Sequence, residues 1–283
     1  MIHEYLIFFM TSMAFYTILV MALNIAIGFT GLINLGHMVF FGIGAYASAI
    51  LTINGVPWYI AIFVAGIFAS LVGTIIAAIT VRLRGEYFAM VTLGLVFIII
   101  AVSRNWISLT RGALGIPGVP DIVRDNFGYM MFSWLIAGLS ILFFYKFVNS
   151  ETGKILQAIR DDETATMILG KNTYFYKVLS IALSTFFAGI AGSIFVHHIN
   201  FVDPTIFDLE FFIFVISMLI AGGLASIKGS VVGVFALSIV SEAMRYIVVS
   251  PALIGAIREM AYVIILILIL IYKPRGIFGK VDV

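Results

Sequence analysis

Nine apolar runs follow one another along this chain, roughly residues 5–28, 33–52, 58–81, 87–104, 129–147, 178–197, 210–227, 229–249 and 256–272. Most approach the about 20 residues a helix needs to cross a hydrocarbon core about 30 Å thick. In hydrocarbon every backbone N–H and C=O must find its partner within the protein, and a single run manages that only as a helix. The expected fold class is therefore all-α: a polytopic transmembrane helical bundle of about nine spans, forming one domain over 1–283. Composition agrees, with 63% hydrophobic and 11% charged residues, against about 25% charged in soluble domains. A water-soluble core cannot hide that much apolar surface.

Two runs are not simple spans. Asn34, Gly36, His37, Gly42 and Gly44 interrupt the second, and Gly222 and Gly223 interrupt the end of the seventh. Glycine-broken helices bend or re-enter, and they survive only where protein or a cavity covers the freed backbone. Small residues also recur at four-residue spacing, at Gly229 and Gly233 and along Ser70, Thr74 and Ala78. Such stripes let helix backbones approach closely. The first run has no Lys or Arg before it, so it reads as a retained span rather than a cleaved signal.

The Lys/Arg distribution sets the expected orientation. With the 150–177 loop placed in the cytoplasm, Arg82, Arg84, Lys146, Lys154, Arg160, Lys171, Lys177, Lys228, Lys273, Arg275 and Lys280 lie inside. Arg104, Arg111 and Arg124 lie outside, and Arg245 and Arg258 stay unassigned near outer span ends. The N-terminus is then outside and the C-terminus cytoplasmic.

Enzyme chemistry finds no footing. The chain has no cysteine, and its histidines are His3, His37, His197 and His198. Without His-x-x-x-His spacing a metal site is not expected. A serine nucleophile needs a positioned base, and no span offers one in its middle. A net charge of +2 gives no reason to expect nucleic acid as a partner. Glu242, Arg245, Arg258 and Glu259 are the ionisable groups nearest membrane depth. Glu242 and Arg245, three apart on one helix face, are placed to pair, and Arg258 and Glu259 can pair across to them. Such a network serves either packing or a substrate or proton role.

The remaining anomaly is polar. Residues 150–177 carry Glu151, Lys154, Arg160, Asp161, Asp162, Glu163, Lys171 and Lys177, eight of the chain's thirty charged side chains. The stretch reads as one short amphipathic helix, or two, ending at Gly170 as a cap. Asp161, Asp162 and Glu163 argue against an anionic lipid surface, which favours clustered Lys and Arg. They suit a groove on another protein better, and a solvated loop is the alternative.

The segment Gly153 to Gly170, with its Ala-Ile-Arg-Asp-Asp-Glu-x-Ala core, closely resembles the cytoplasmic coupling loop of bacterial ABC permeases for branched-chain amino acids. Five further motifs extend the resemblance in order over nearly the whole chain. They are Leu23-Asn24 with Gly28 to Tyr46, Arg82 to Gly94, Thr110 to Gly118, Gly222 to Gly229 and Lys273 to Gly279. The Arg-Leu-Arg-Gly-x-Tyr motif and the Pro-Arg-Gly-Ile-Phe-Gly tail are similar to those of the M-type subunit. Ala225 and Arg111 stand where the family commonly has glycine.

The resemblance implies one half of a heterodimeric pore in the bacterial inner membrane, paired with a second homologous permease subunit. Two cytoplasmic ATPase subunits would grip the coupling loop, and an extracytoplasmic substrate-binding protein would deliver cargo. This chain itself would bind no cofactor and perform no catalysis. ATP would sit on the partners, in keeping with the absence of a Gly-x-x-x-x-Gly-Lys-Ser/Thr loop here. The implied activity is import of leucine, isoleucine and valine by ATP-driven alternating access.

In that reading Ile155, Leu156 and Ile159 seat in an ATPase groove. Arg160 and Asp161, Asp162 and Glu163 fix its register, with Gly153 and Gly170 bounding the element. Translocation-pathway candidates are Asn24, Asn34, His37, Thr92, Gly222 and Gly223, from the polar or glycine-broken parts of spans. A urea or amide permease of the same superfamily, and an ion-coupled secondary transporter, are the alternatives.

Overall fold

The computed structural model describes residues 2–83, 85–123, 125–244, 251–273 and 275–279, with the backbone alone for Ile2, 251–259, Ala261 and Leu270. Helices occupy all nine apolar runs: α1 (Ile2–Asn24), α2 (His37–Ile53), α3 (Trp58–Thr80), α4 (Gly85–Asn105), α6 (Asn126–Asn149), α9 (Thr173–Ile199), α10 (Leu209–Gly222), α11 (Ile227–Ala243) and α12 (Pro251–Tyr272). A short α5 (Ile107–Thr110) follows α4, and α7 (Glu151–Asp161) and α8 (Glu163–Ile168) lie between α6 and α9.

Among the described residues, five of these helices are long and apolar enough to cross a membrane: the first, running to Phe29, and α3, α4, α6 and α9. The two glycine-broken runs give shorter helices. Residues 30–36 are not helical before α2, and α10 stops at Gly222 rather than continuing to 227.

Two helices form the axis. About two thirds of the spanning window is buried in both α1 and α9 (67% each), against 39% for α3, 28% for α6 and 17% for α4. The outer helices turn Phe63, Ile79, Phe97, Ile98, Leu135 and Leu139 outward, as hydrocarbon permits. Lipid gives helices no hydrophobic reason to associate, so contact depends on close approach and hydrogen bonds. Gly189 on α9 supplies the approach: a Cβ there would lie 2.7 Å from the Ala69 Cβ of α3.

The Ser70–Ala78 stripe serves the same interface. Ser70 Oγ donates to the Ala182 carbonyl at 2.9 Å, and Tyr174 Oη donates to that of Ala78 at 2.9 Å. The α1–α9 seam is hydrogen-bonded too, by Ser184 Oγ to Ala22 O at 2.7 Å and by Thr30 Oγ1 with Ser180 Oγ at 2.6 Å.

A two-residue antiparallel pair, β1 (Ile116–Pro117) with β2 (Phe201–Val202), marks one end of the bundle, where α9 finishes. No sequence pattern announced it. At this sheet end His198 stacks on Phe8 near the start of α1, with ring centroids 4.1 Å apart. His197 contacts Ser48 Oγ at 3.0 Å and the Pro120 carbonyl at 2.8 Å. Both histidines tie helices together there. The first helix therefore starts at the sheet end and finishes beside α7.

Candidate functional site

At the α7 end, local chemistry builds two short helices from the charged loop. Ser150 caps α7 by accepting from Gly153 N at 3.3 Å, and Asp162 caps α8 by accepting from Ala165 N at 2.9 Å. Such caps satisfy donors left free in a helix's first turn. A Cβ on Gly153 would sit 2.4 Å from two α6 carbonyls, so only glycine lets α7 fold back this sharply.

Gly170 at φ +77° closes α8. Its N–H donates to Met167 O at 2.9 Å and that of Lys171 to Thr166 O at 3.3 Å, the bond pair of a Schellman turn.

The apolar face of α7 points inward. Leu156 and Ile159 are buried against this chain's own helices, and Ile155 is half-buried. The exposed apolar residues come at the end of α8: Met167, Ile168 and Leu169, at 50%, 81% and 78% exposure.

The charges are also committed internally. Arg160 pairs with Asp161 at 2.7 Å and donates from Nη1 to the Gly28 carbonyl at 2.9 Å. Glu163 forms an ion pair with Lys177, a buried residue in the first turns of α9. Asp162 is spent as a cap. The helix pair is thus fastened to both axial helices, through Arg160 to the end of the first and through Glu163 to α9.

Gly28 lies in a π-helical turn, Ile25–Phe29, that extends α1. Single π turns concentrate at functional sites. Its freed Ile25 carbonyl accepts from Thr30 Oγ1 at 2.8 Å.

Of the expected pathway residues, Asn24, Gly222 and Gly223 meet at the α10–α11 connection, and Thr92 and Asn34 hold the segment 30–36. Asn24 is buried and fully engaged. Its Nδ2 donates to Ser226 O at 3.1 Å and Ser230 Oγ at 2.7 Å, and its Oδ1 accepts from Ala225 N at 3.0 Å. It clamps α1 to the α10–α11 connection.

Gly222 and Gly223 lie within that connection's packing. A Cβ on Gly222 would meet Gly229 O at 2.1 Å, and one on Gly223 would meet Gly279 N at 2.2 Å. The Gly229–Gly233 stripe packs on Gly222, as its spacing suggested. Ala225 holds a left-handed φ of +56° and Arg111 one of +59°.

Thr92 holds the broken segment 30–36 from α4. Its Oγ1 accepts from Leu35 N at 3.1 Å and donates to Ala89 O at 2.9 Å. Asn34 and His37 are both buried in this region. Asn34 Oδ1 accepts from Gly36 N at 3.1 Å. Asn34 Nδ2 and both His37 ring nitrogens have no hydrogen-bond partner.

Glu242 lines a cavity at the sheet end and is engaged within the chain. Arg245 lies outside the described residues, as do Arg84, Arg124 and Lys280, and the side chains of Arg258 and Glu259 are likewise not described. Among the described residues no group of three or more His, Cys, Asp or Glu side chains is placed to hold a metal. Sequence reasoning missed the Met167–Leu169 knob, although three apolar residues before a capping glycine signalled it. It also missed the roles of Lys177 and Ser230, which no local pattern marks.

Comparison with known proteins bears on the whole chain. The family model described as branched-chain amino acid transport system / permease component matches residues 5–272. The high-affinity branched-chain amino acid transport system permease protein LivM of Escherichia coli (strain K12) is 28% identical, over 93% of this chain and 67% of that protein. The probable branched-chain amino acid transport permease protein LivM of Methanocaldococcus jannaschii is 24% identical, over 94% and 90%. LivH of Salmonella typhimurium is 25% identical, over 95% and 92%. A solved structure, PsaBC from Streptococcus pneumoniae in complex with Fab, shares the fold with a TM-score of 0.51 at 16% identity, covering 96% of this chain and 93% of that one.

Proposed function

This chain belongs to the branched-chain amino acid transport permease family, and from that premise we propose that it is a membrane-spanning subunit of an ABC importer for leucine, isoleucine and valine. Its partners are a second permease of the same family, two cytoplasmic ATPase subunits and an extracytoplasmic binding protein. ATP is bound and hydrolysed by the ATPases, and this chain contributes the conduit and the lever.

The observation that carries this reading is the α7–α8 pair. It offers the Met167–Leu169 knob outward while Arg160 and Glu163 bind it to the two axial helices. A push on the knob is therefore delivered to α1 and α9 rather than lost in a loose loop. Such rigid-body displacement is what alternating access requires. The apolar knob supplies docking energy, and the surrounding charges set register more than affinity.

Orientation follows from the same end. The Lys/Arg excess at the α7 end places it in the cytoplasm. The start of α1, at the sheet end beside His198, is then outside. The tail at Arg275–Gly279, packed on Gly223 near the Asn24 clamp, is inside.

The test replaces Ile168 and Leu169 by Asp in the assembled complex. Both side chains are exposed, so the membrane fold should persist. ATP-driven leucine uptake should fall to background and the ATPase subunits should no longer co-purify. Full uptake with ATPases still bound would defeat the proposal. Arg160→Glu should leave the fold intact yet uncouple hydrolysis from uptake.

A further inference from the structure

At the sheet end α1, α10 and α11 line a cavity of about 230 Å3. Its apolar wall includes Phe8, Phe9, Met13 and Phe214, and the phenols of Tyr5 and Tyr16 join Ser12, Ser238, Ser241 and Glu242 in the lining. Ser238, Ser241 and Glu242 are three and four residues apart on α11 and so share one face.

Ser12 faces His198 at 3.3 Å, and Ser241 Oγ lies 2.7 Å from Tyr262 Oη. Ser238 is different. It is 4% exposed and its Oγ has no hydrogen-bond partner. A buried hydroxyl without a partner carries a cost that a ligand atom can remove. Glu242, half-buried on the same face, adds a carboxylate to the lining.

We propose that this cavity is a transit subsite for an amino acid, entered ammonium first. Glu242 takes the α-ammonium, joining or replacing the contact it now makes within the chain, and Ser238 Oγ accepts a second ammonium proton. Phe9, Met13 and Phe214 cover the branched apolar side chain. The substrate carboxylate is repelled by Glu242 and so trails toward the opening. This inference rests on the import reading above and names where a released substrate is first held.

The test uses the assembled transporter in nanodiscs without its binding protein. Saturation-transfer NMR is recorded with 3-methylbutylamine, which has the ammonium and branched chain, and with 4-methylpentanoate, which has the carboxylate instead. The amine should give transfer and the carboxylate none. Glu242→Gln should weaken the amine signal at least about tenfold, the worth of one hydrogen bond to a charged group. Ser238→Leu, which fills the cavity and spares the carboxylate, should abolish the signal, and it keeps the test decisive if Glu242→Gln does not assemble.

In proteoliposomes Glu242→Gln should slow leucine uptake, because it removes the group that holds the ammonium. Equal transfer from both probes, or variants that match the parent, would overturn the subsite. So would displacement of the amine by phosphatidylethanolamine with leucine uptake unchanged in Glu242→Gln, which would assign the cavity to lipid. A parent complex that binds the amine but imports no branched-chain amino acid would instead refute the import reading and leave an ammonium site.

Discussion

Asn24→Leu separates two roles for a buried amide. The replacement keeps approximate volume but removes all three hydrogen bonds that join α1 to the α10–α11 connection. Two losses are mild, because Ser226 O still accepts from Ser230 N at 3.0 Å and Ser230 Oγ still donates to Ser226 O at 3.2 Å. The third is not, since it leaves the buried Ala225 N–H without an acceptor.

Side-chain bonds between membrane helices average about 0.6 kcal/mol each, and an orphaned buried donor costs about 1–3 kcal/mol. The sum is about 2–4 kcal/mol, or roughly a 30- to 1,000-fold rise in the unfolding constant. Unfolding by SDS titration in mixed micelles would measure it. Trp134 is a suitable reporter, because its Nε1 donates to Met10 O across α6 and α1 at 3.0 Å. Ser230→Ala should lose only about 0.5–1 kcal/mol. If Asn24→Leu unfolds like the parent while uptake collapses, Asn24 lines the pathway and the clamp reasoning is wrong.

Four other outcomes follow from the same geometry. Ala225→Gly should be near neutral: relief of about 1–2 kcal/mol of left-handed strain is offset by about 0.4–1 kcal/mol of chain entropy and about 0.8 kcal/mol of lost methyl burial. Ala225→Val should instead destabilise by about 1–3 kcal/mol in the same titration, because a β-branched residue fits φ +56° poorly. Lys177→Met should cost about 1–3 kcal/mol, discounted because Glu163 is 39% exposed, and a cycle with Glu163→Gln should recover part of it as coupling energy. Gly189→Leu should prevent α3 and α9 from closing, seen as loss of a monodisperse peak on size exclusion.

The sequence made the helices legible because hydrocarbon-length runs admit one backbone solution, and it made Ser150, Asp162 and Gly170 legible because caps are local. Orientation of side chains was harder to read. An amphipathic α7 announces an apolar face, but periodicity does not say whether Leu156 and Ile159 meet a partner or their own chain, and they meet their own. Asn24 read as pathway because polar residues inside spans are costly, yet three internal partners remove that cost. The π turn at Ile25–Phe29 left no pattern at all, since it adds one residue without altering the surrounding hydrophobicity. The left-handed backbone angles of Ala225 and Arg111 likewise left no local pattern in the sequence.

The tail deserves its last word in the order of synthesis. Ile277 N donates to Ala221 O at 3.0 Å and Phe278 N to Gly222 O at 2.9 Å, so the final carbonyls of α10 are satisfied by residues made some fifty positions later. A nascent chain inserting from its first helix onward must keep that break open until residues 277 and 278 have been made. A chain broken off before residue 277 would therefore leave the buried end of α10 unlatched, although every helix had already been made.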